Sequence, residues 1–164
     1  MQKNYPESLQ SLLQLLIESD IDFVVIGGFA AILHGSTQIT QDIDICAQLT
    51  LEHIEKFRTL LASLHPFHRM TPQRISFLEK HPEEKLIKNL YLRTDLGVLD
   101  ILSLLPDVGD FETLASRADI FEIEGKKVKV LCLDDLIKAK TLVGREKDKA
   151  TVLELKVIRE KTKT

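Results

Sequence analysis

Apolar residues recur along the chain in two rhythms, and their alternation lays out most of the elements. From Pro6 onward, Leu9, Leu12, Leu13 and Leu16 follow at helical spacing, which predicts an amphipathic helix ending near Asp20 and Asp22. Phe23–Ile26 is a continuous β-rich run stopped by Gly27-Gly28, the pattern of a short buried strand, and residues 29–34 predict a short helix starting at that glycine pair. Beyond the loop-like stretch 35–41, Asp42–Cys46 alternates polar and apolar and predicts a second strand. Thr50 stands where a helix N-cap belongs, with Ile54, Phe57, Leu61 and Leu64 facing inward. Residues 65–85 carry three prolines and three histidines and follow no clear period. Leu86–Arg93 and Val98–Leu105 then predict two strands joined by the turn Thr94–Gly97. A short helix near 110–116, a hairpin pairing 121–124 with 128–131 around Gly125, and two closing helices over 134–143 and 146–160 complete the pattern. Helices before and after a small mixed β-sheet predict an α/β (α+β) fold with a C-terminal helix pair. Without linker, repeat or low-complexity tract, residues 1–164 are expected to form a single domain.

Composition narrows the class. At 44% hydrophobic and 29% charged residues the chain is an ordinary globular mixture, and its net charge of −3 advertises neither nucleic acid nor an acidic membrane as partner. The polar start MQKNYPESLQ lacks the order of a signal peptide and no apolar window reaches membrane-spanning length, so a cytoplasmic protein without a membrane partner is expected. Two cysteines, Cys46 and Cys132, lie far apart inside apolar runs and read as reduced thiols. The charge is unevenly spread. Residues 1–124 hold 10 basic against 19 acidic residues, a net of −9, whereas 125–164 hold 12 against 6, a net of +6. An acidic body with a basic C-terminal quarter fits either a carboxylate centre facing a phosphate-binding surface or plain solvated helices.

The chemistry concentrates at a few positions. In a strand, Asp42 and Asp44 project to one face while Ile43 and Ile45 point into the core. Two carboxylates so close repel each other unless a cation neutralises them, and hard oxygen ligands of this kind suit Mg²⁺, with Mn²⁺ as the alternative. A strand edge whose aspartates merely face water is the other reading. Asp100 sits inside the apolar run GVLDILSLL, where an unpaired carboxylate would be costly, and so calls for a cation or a donor. Gly27 and Gly28, between a strand and a helix, allow close backbone approach to a phosphate, or simply make a tight turn. Lys140 interrupts the apolar stripe of Leu133, Leu136, Ile137 and Val143 and either snorkels to an edge or lines a polar cleft, with Arg145 and Lys147 following. Ser36 is placed to bond a phosphate or to cap its own loop. Asp95 reads as a turn residue, His34, near these positions, as a packed or surface histidine rather than a catalytic one, and His65, His68 and His81 have no metal-ligand spacing.

In order, these parts resemble a known signature. The stretch VIGGFAAILHGSTQITQDIDI is similar to that of the DNA polymerase β-like nucleotidyltransferase superfamily: strand, Gly-Gly, short helix, then Asp-x-Asp, here with 13 residues between Gly28 and Asp42. LRTDLGVLDIL resembles the strand carrying that superfamily's third carboxylate, matching Asp100, and VLCLDDLIKAKTLVGREKDKATVLEL resembles the helix pair of its small bacterial and archaeal members, which include minimal nucleotidyltransferases and relatives of abortive-infection toxins and toxin-pairing antitoxins. Gln38 and Thr151 depart from the pattern, standing where many relatives have Arg and Asp. The resemblance implies a nucleotidyltransferase fold, and transfer of a nucleoside monophosphate from a nucleoside triphosphate, ATP by preference, to an acceptor hydroxyl. RNA, a partner protein and a small molecule all stay open as that acceptor, as does a toxin or antitoxin partner. It further implies that Asp42, Asp44 and Asp100 hold divalent metal and act in catalysis, and that Gly27, Gly28, Ser36 and Lys140 bind the nucleotide. Two rivals remain on sequence: a non-catalytic, antitoxin-like protein of the same fold that binds a partner, and a glycosyltransferase using Asp-x-Asp to hold a nucleotide-sugar.

Overall fold

The computed structural model describes residues 4–163. In chain order the elements are α1 (Glu7–Glu18), β1 (Val24–Ile26), α2 (Gly27–Leu33), β2 (Asp42–Cys46), α3 (Leu51–Leu61), β3 (Phe67–His68), β4 (Ile75–Ser76), β5 (Asn89–Thr94), β6 (Gly97–Leu102), β7 (Leu104–Leu105), β8 (Gly109–Asp110), α4 (Phe111–Arg117), β9 (Asp119–Ile123), β10 (Lys126–Val130), α5 (Leu133–Val143) and α6 (Glu146–Thr162). Eight strands form one mixed sheet in the order β4-β3-β5-β6-β2-β1-β10-β9, and β7 and β8 make a separate small ribbon. Only the β1–β10 and β2–β6 pairs in the large sheet are parallel.

The strand period decides what each face does. Ile43, Ile45, Leu90, Leu92, Leu99 and Ile101 all turn to one side and are buried. The leucines of α1 are buried as well, and that helix packs against β2 and β6. The opposite face carries a row in register across four strands: Tyr91, Asp100, Asp44 and Ile26. α2 lies against β1 and β2 and touches α5, so two helices border that row. Thr50 caps α3 by accepting from the His53 N–H, as its sequence position predicts. Gly144 takes φ +69° to end α5, and the reciprocal Arg145–Asp148 cap starts α6 one residue later.

Three segments differ from the apolar pattern. The run through Leu105 is not one strand, because β5 ends opposite Leu102 and the chain must leave the sheet, re-forming as the β7–β8 ribbon. Leu86 is exposed in a short 3-10 turn ahead of β5 rather than within it. The unpatterned stretch 65–85 supplies β3 and β4, which extend the sheet past β5. Its order comes from contacts distant in sequence. Phe77 is 1% exposed, Arg58 lies 5.0 Å over its ring and donates to its carbonyl at 2.9 Å, and Glu84 ion-pairs with the same guanidinium.

Candidate functional site

Strand pairing builds the site. Asp42 and Asp44 share a face of β2, and the parallel neighbour β6 places Asp100 directly beside Asp44. Asp42 is exposed, Asp44 half-buried and Asp100 8% exposed, so the three carboxylates step from solvent into the domain. Burial first, then the charges of Asp100 and Asp42, push the Asp44 carboxyl up to about 6 against the pull of Lys140 and Arg69. That is the electrostatic state of an anionic cluster short of positive charge.

The glycine pair sets the floor. Gly27 takes φ +67°, and a Cβ there would lie 2.3 Å from Asp44 Oδ2, so only glycine lets strand, helix and carboxylate meet. At Gly28 a Cβ would stand 3.1 Å from Thr40 Oγ1, again tight. On the other side, Lys140 from α5 and Arg145 at the start of α6 converge on Asp148, which is 1% exposed, at 3.8 and 2.7 Å. Burial alone would raise the Asp148 carboxyl, but its Arg145 hydrogen bond and the two cationic neighbours outweigh that and hold it below the usual range. Burial lowers Lys140, helped by Lys147 and Arg145 and opposed by Asp148 and Asp44.

Arg69, from the segment the sequence pattern left blank, completes the charge balance. It donates to Asp100 from two nitrogens, Nε to Oδ1 at 3.0 Å and a terminal nitrogen to Oδ2, and its guanidinium lies 5.5 Å from the Tyr91 ring centroid. Among the described residues no three His, Cys, Asp or Glu side chains converge closely enough to form a ready-made metal cage. What the donor set offers is an open pair of carboxylates, Asp42 and Asp44, with both Asp100 oxygens engaged by Arg69. Mg²⁺ commonly takes one or two protein carboxylates and fills its other positions with water and phosphate, and this pair fits that habit.

Two cavities meet at the carboxylates. A polar one of about 260 Å³ is bordered by Gly27, Gly28, Thr40, Asp42, Arg69 and Lys147 among others. An apolar one of about 250 Å³ is walled by Tyr91, Leu102, Leu105, Leu136, Ala139 and Val143. Gly27, Asp44, Asp100, Lys140 and Arg145 line both.

Residues 7–161 match the family described as nucleotidyltransferases of unknown function, DUF6036. The chain belongs to this family. Membership agrees with the superfamily resemblance of the glycine pair, the Asp-x-Asp strand and the third carboxylate. No curated protein matches the chain significantly. Solved structures share the nucleotidyltransferase fold at low identity. A candidate nucleotidyltransferase of Thermotoga maritima is 20% identical, with 91% of this chain and 92% of that one covered and a TM-score of 0.55. The lincosamide antibiotic adenylyltransferase LnuA, bound to lincomycin, is also 20% identical over 93% and 96%, with a TM-score of 0.60. An antigenic nucleotidyltransferase-like protein of Paracoccidioides brasiliensis is 16% identical over 93% and 75%, with a TM-score of 0.56.

In this DUF6036 member the fold brings together Gly27, Gly28, Asp42, Asp44, Asp100 and Lys140. Ser36 is not at the cavities: it is buried, its hydroxyl accepting from the Gln38 N–H at 3.1 Å and bonding Glu154, which also holds Thr37. Gln38 and Thr151 both line the polar cavity, Thr151 with its hydroxyl donating back to the Lys147 carbonyl at 2.9 Å. His34 is packed, bonding the Leu131 carbonyl at 2.8 Å, and Asp95 occupies its turn beside His65. Cys46 is buried and its thiol pushed up to about 12, so it offers no thiolate. Sequence reasoning gave no role to Arg69, Tyr91 or Asp148. The one signal for Arg69 was indirect, an aspartate in an apolar strand that needed a donor from elsewhere. Among the described residues no helix is long and apolar enough to cross a membrane.

Proposed function

We propose that the protein transfers a nucleoside monophosphate from a nucleoside triphosphate, ATP by preference, to the hydroxyl of a small, largely apolar acceptor, releasing pyrophosphate. The observation that carries this reading is the junction of a polar and an apolar cavity at Asp44 and Asp100. Displacement at phosphorus is roughly in line, so acceptor and leaving pyrophosphate stand on opposite sides of the α-phosphorus. Lys140 and Arg145 at the junction and Lys147 on the polar side supply the positive charge that departing phosphates need, while Tyr91, Leu102, Leu105, Leu136, Ala139 and Val143 give the other cavity apolar walls.

Asp42 and Asp44 would hold Mg²⁺, or Mn²⁺ in its place, and Asp100 would join them once freed from Arg69. A cation bound there would neutralise charge building on the transferred and departing phosphates. Gly27 and Gly28 border the polar cavity in which the phosphates would lie. Asp148 fixes the directions of Lys140 and Arg145 towards the cavity. Asp100, which borders both cavities and pairs across the sheet with Tyr91 of the apolar wall, would accept the acceptor's proton as the acceptor oxygen bonds to the α-phosphorus and the α–β bridge breaks. The two free thiols suit a reducing, cytoplasmic setting.

The test is incubation with each α-labelled nucleoside triphosphate and Mg²⁺ in three arms: small cyclic and aromatic alcohols, RNA oligonucleotides, and extract proteins. Label joined to a small alcohol with pyrophosphate release supports the reading, and Ala139→Phe, which fills the apolar cavity, should abolish transfer while nucleotide binding persists. Label on RNA or protein overturns the acceptor assignment. Release of a nucleoside diphosphate from a nucleotide-sugar would instead make the protein a glycosyltransferase. Calorimetry showing no nucleotide binding would favour a non-catalytic, antitoxin-like partner-binding role.

A further inference from the structure

Arg69 stands apart from the cations of α5 and α6. Lys140 and Arg145 are tied to Asp148, an aspartate with no place among the three clustered carboxylates. Arg69 is tied to Asp100 itself, and both oxygens of that carboxylate accept from its guanidinium. The planar fork matches a carboxylate in two-point geometry, and a lysine could not reproduce it. A cation approaching the same oxygens would meet a fixed positive charge. The pair is also well supported from behind. The Arg69 N–H donates to the Tyr91 carbonyl at 3.0 Å, the guanidinium packs over the Tyr91 ring, and the β3–β4 segment is pinned to α3 through Arg58, Phe77 and Glu84.

The side chain is not trapped. Its side chain is 27% exposed, against 11% for the side chain of Asp100, and it borders the polar cavity beside Gly27, Gly28 and Lys147. A phosphate group there presents paired oxygens with nearly the same bite as a carboxylate. We propose that Arg69 is a positioning residue that keeps Asp100 closed to divalent cations until a phosphate-bearing substrate takes over its guanidinium. The inference rests on the metal-holding roles given above to Asp42, Asp44 and Asp100, and adds an order of events. Asp42 and Asp44 are open from the start, whereas Asp100 becomes a ligand or base only after the triphosphate has arrived. Substrate and cation therefore strengthen each other's binding, because each relieves the charge that the other leaves unmatched. A site built this way activates no hydroxyl, and no water, before the nucleotide is in place.

The experiment measures Mn²⁺ binding by calorimetry and by electron paramagnetic resonance of free Mn²⁺, with and without the α,β-methylene analogue of ATP. The proteins are wild type, Arg69→Gln and Arg69→Lys, each checked for its fold by circular dichroism. In wild type the analogue should tighten Mn²⁺ binding by about tenfold or more. Arg69→Gln should bind Mn²⁺ alone about tenfold more tightly than wild type, with the analogue adding little. Arg69→Lys keeps the charge without the fork and should fall between. Loss of one nearby positive charge strengthens any cation site, and Arg69→Lys controls for that: an effect of charge alone would leave its coupling at the wild-type value. Equal coupling in wild type and Arg69→Gln overturns the inference while leaving the metal site standing. If neither protein binds Mn²⁺ with the analogue present, the metal-holding assignment itself fails, and this inference falls with it. Should Arg69→Gln fail to fold, Arg69→Lys with wild-type coupling is the overturning result.

Discussion

Replacing Asp44 by Asn removes a charge that the fold tolerates at a cost, keeps the volume, and so should make the protein more stable. The carboxyl titrates at about 6 in the folded chain against 3.8 for the free side chain, because it is buried beside Asp100 and Asp42. A displacement of roughly two pH units corresponds to up to about 3 kcal/mol at 25 °C. The sign follows from the order of the two values. The folded pKa is the higher one, so the folded state holds its proton more tightly and ionisation penalises folding. That penalty is complete above about pH 6, shrinks as pH falls towards 3.8, and is absent below it. Asn mimics the protonated acid at every pH. Thermal and urea unfolding of wild type and Asp44→Asn at pH 8, 6 and 4, without divalent cations, reads the difference directly. The variant should melt on the order of 5–10 °C higher at pH 8, with the gap narrowing at pH 6 and nearly closing at pH 4. Equal stability at pH 8, or a gap unchanged at pH 4, would refute the account of Asp44 as a charge held under strain. The same substitution should abolish nucleotidyl transfer, the usual exchange of stability for function at a pre-organised site.

Gly27→Ala should destabilise the protein by about 1–2 kcal/mol from the left-handed backbone alone, with a further loss from the Cβ that would sit 2.3 Å from Asp44 Oδ2. In an Asp44→Ala background the same change should cost less, and a double-mutant cycle by urea unfolding would expose that non-additivity. Arg58→Ala should cost about 3–5 kcal/mol, because it leaves Glu84 buried without its partner and uncovers Phe77. Proteolysis between residues 65 and 85 should accelerate in that variant, and wild-type cleavage rates would show that this ion pair does not pin the segment.

Most of the fold was legible because helix and strand periods act locally. The leucines of α1, the alternation in β2 and the Thr50 cap each report a preference settled within a few residues. The ends of β5 and β6 were less so, since a strand stops where its partner stops, and Leu86 and Leu104 carry no mark of that. The site divides in the same way. Asp42 and Asp44 announce themselves by spacing, Gly27 and Gly28 by their place between strand and helix, and Lys140 by interrupting an apolar stripe. Asp148 sits in a helix start whose side-chain direction was unreadable until Lys140 was seen to point at it.

The sequence by itself determined which residues of α1, β2 and α3 lie inward, the order of the longer strands and helices along the chain, and the presence of three carboxylates and a glycine pair in a recognisable order. Only the tertiary structure decided that Asp100 stands beside Asp44, that the carboxylates divide a polar cavity from an apolar one, and that Arg69 closes on Asp100 from 31 residues away. The reason is the range of the forces involved. Periodicity and capping are written in neighbours, whereas the pairing of a buried charge depends on which distant segment the packed sheet delivers to it, and that is a property of the whole fold.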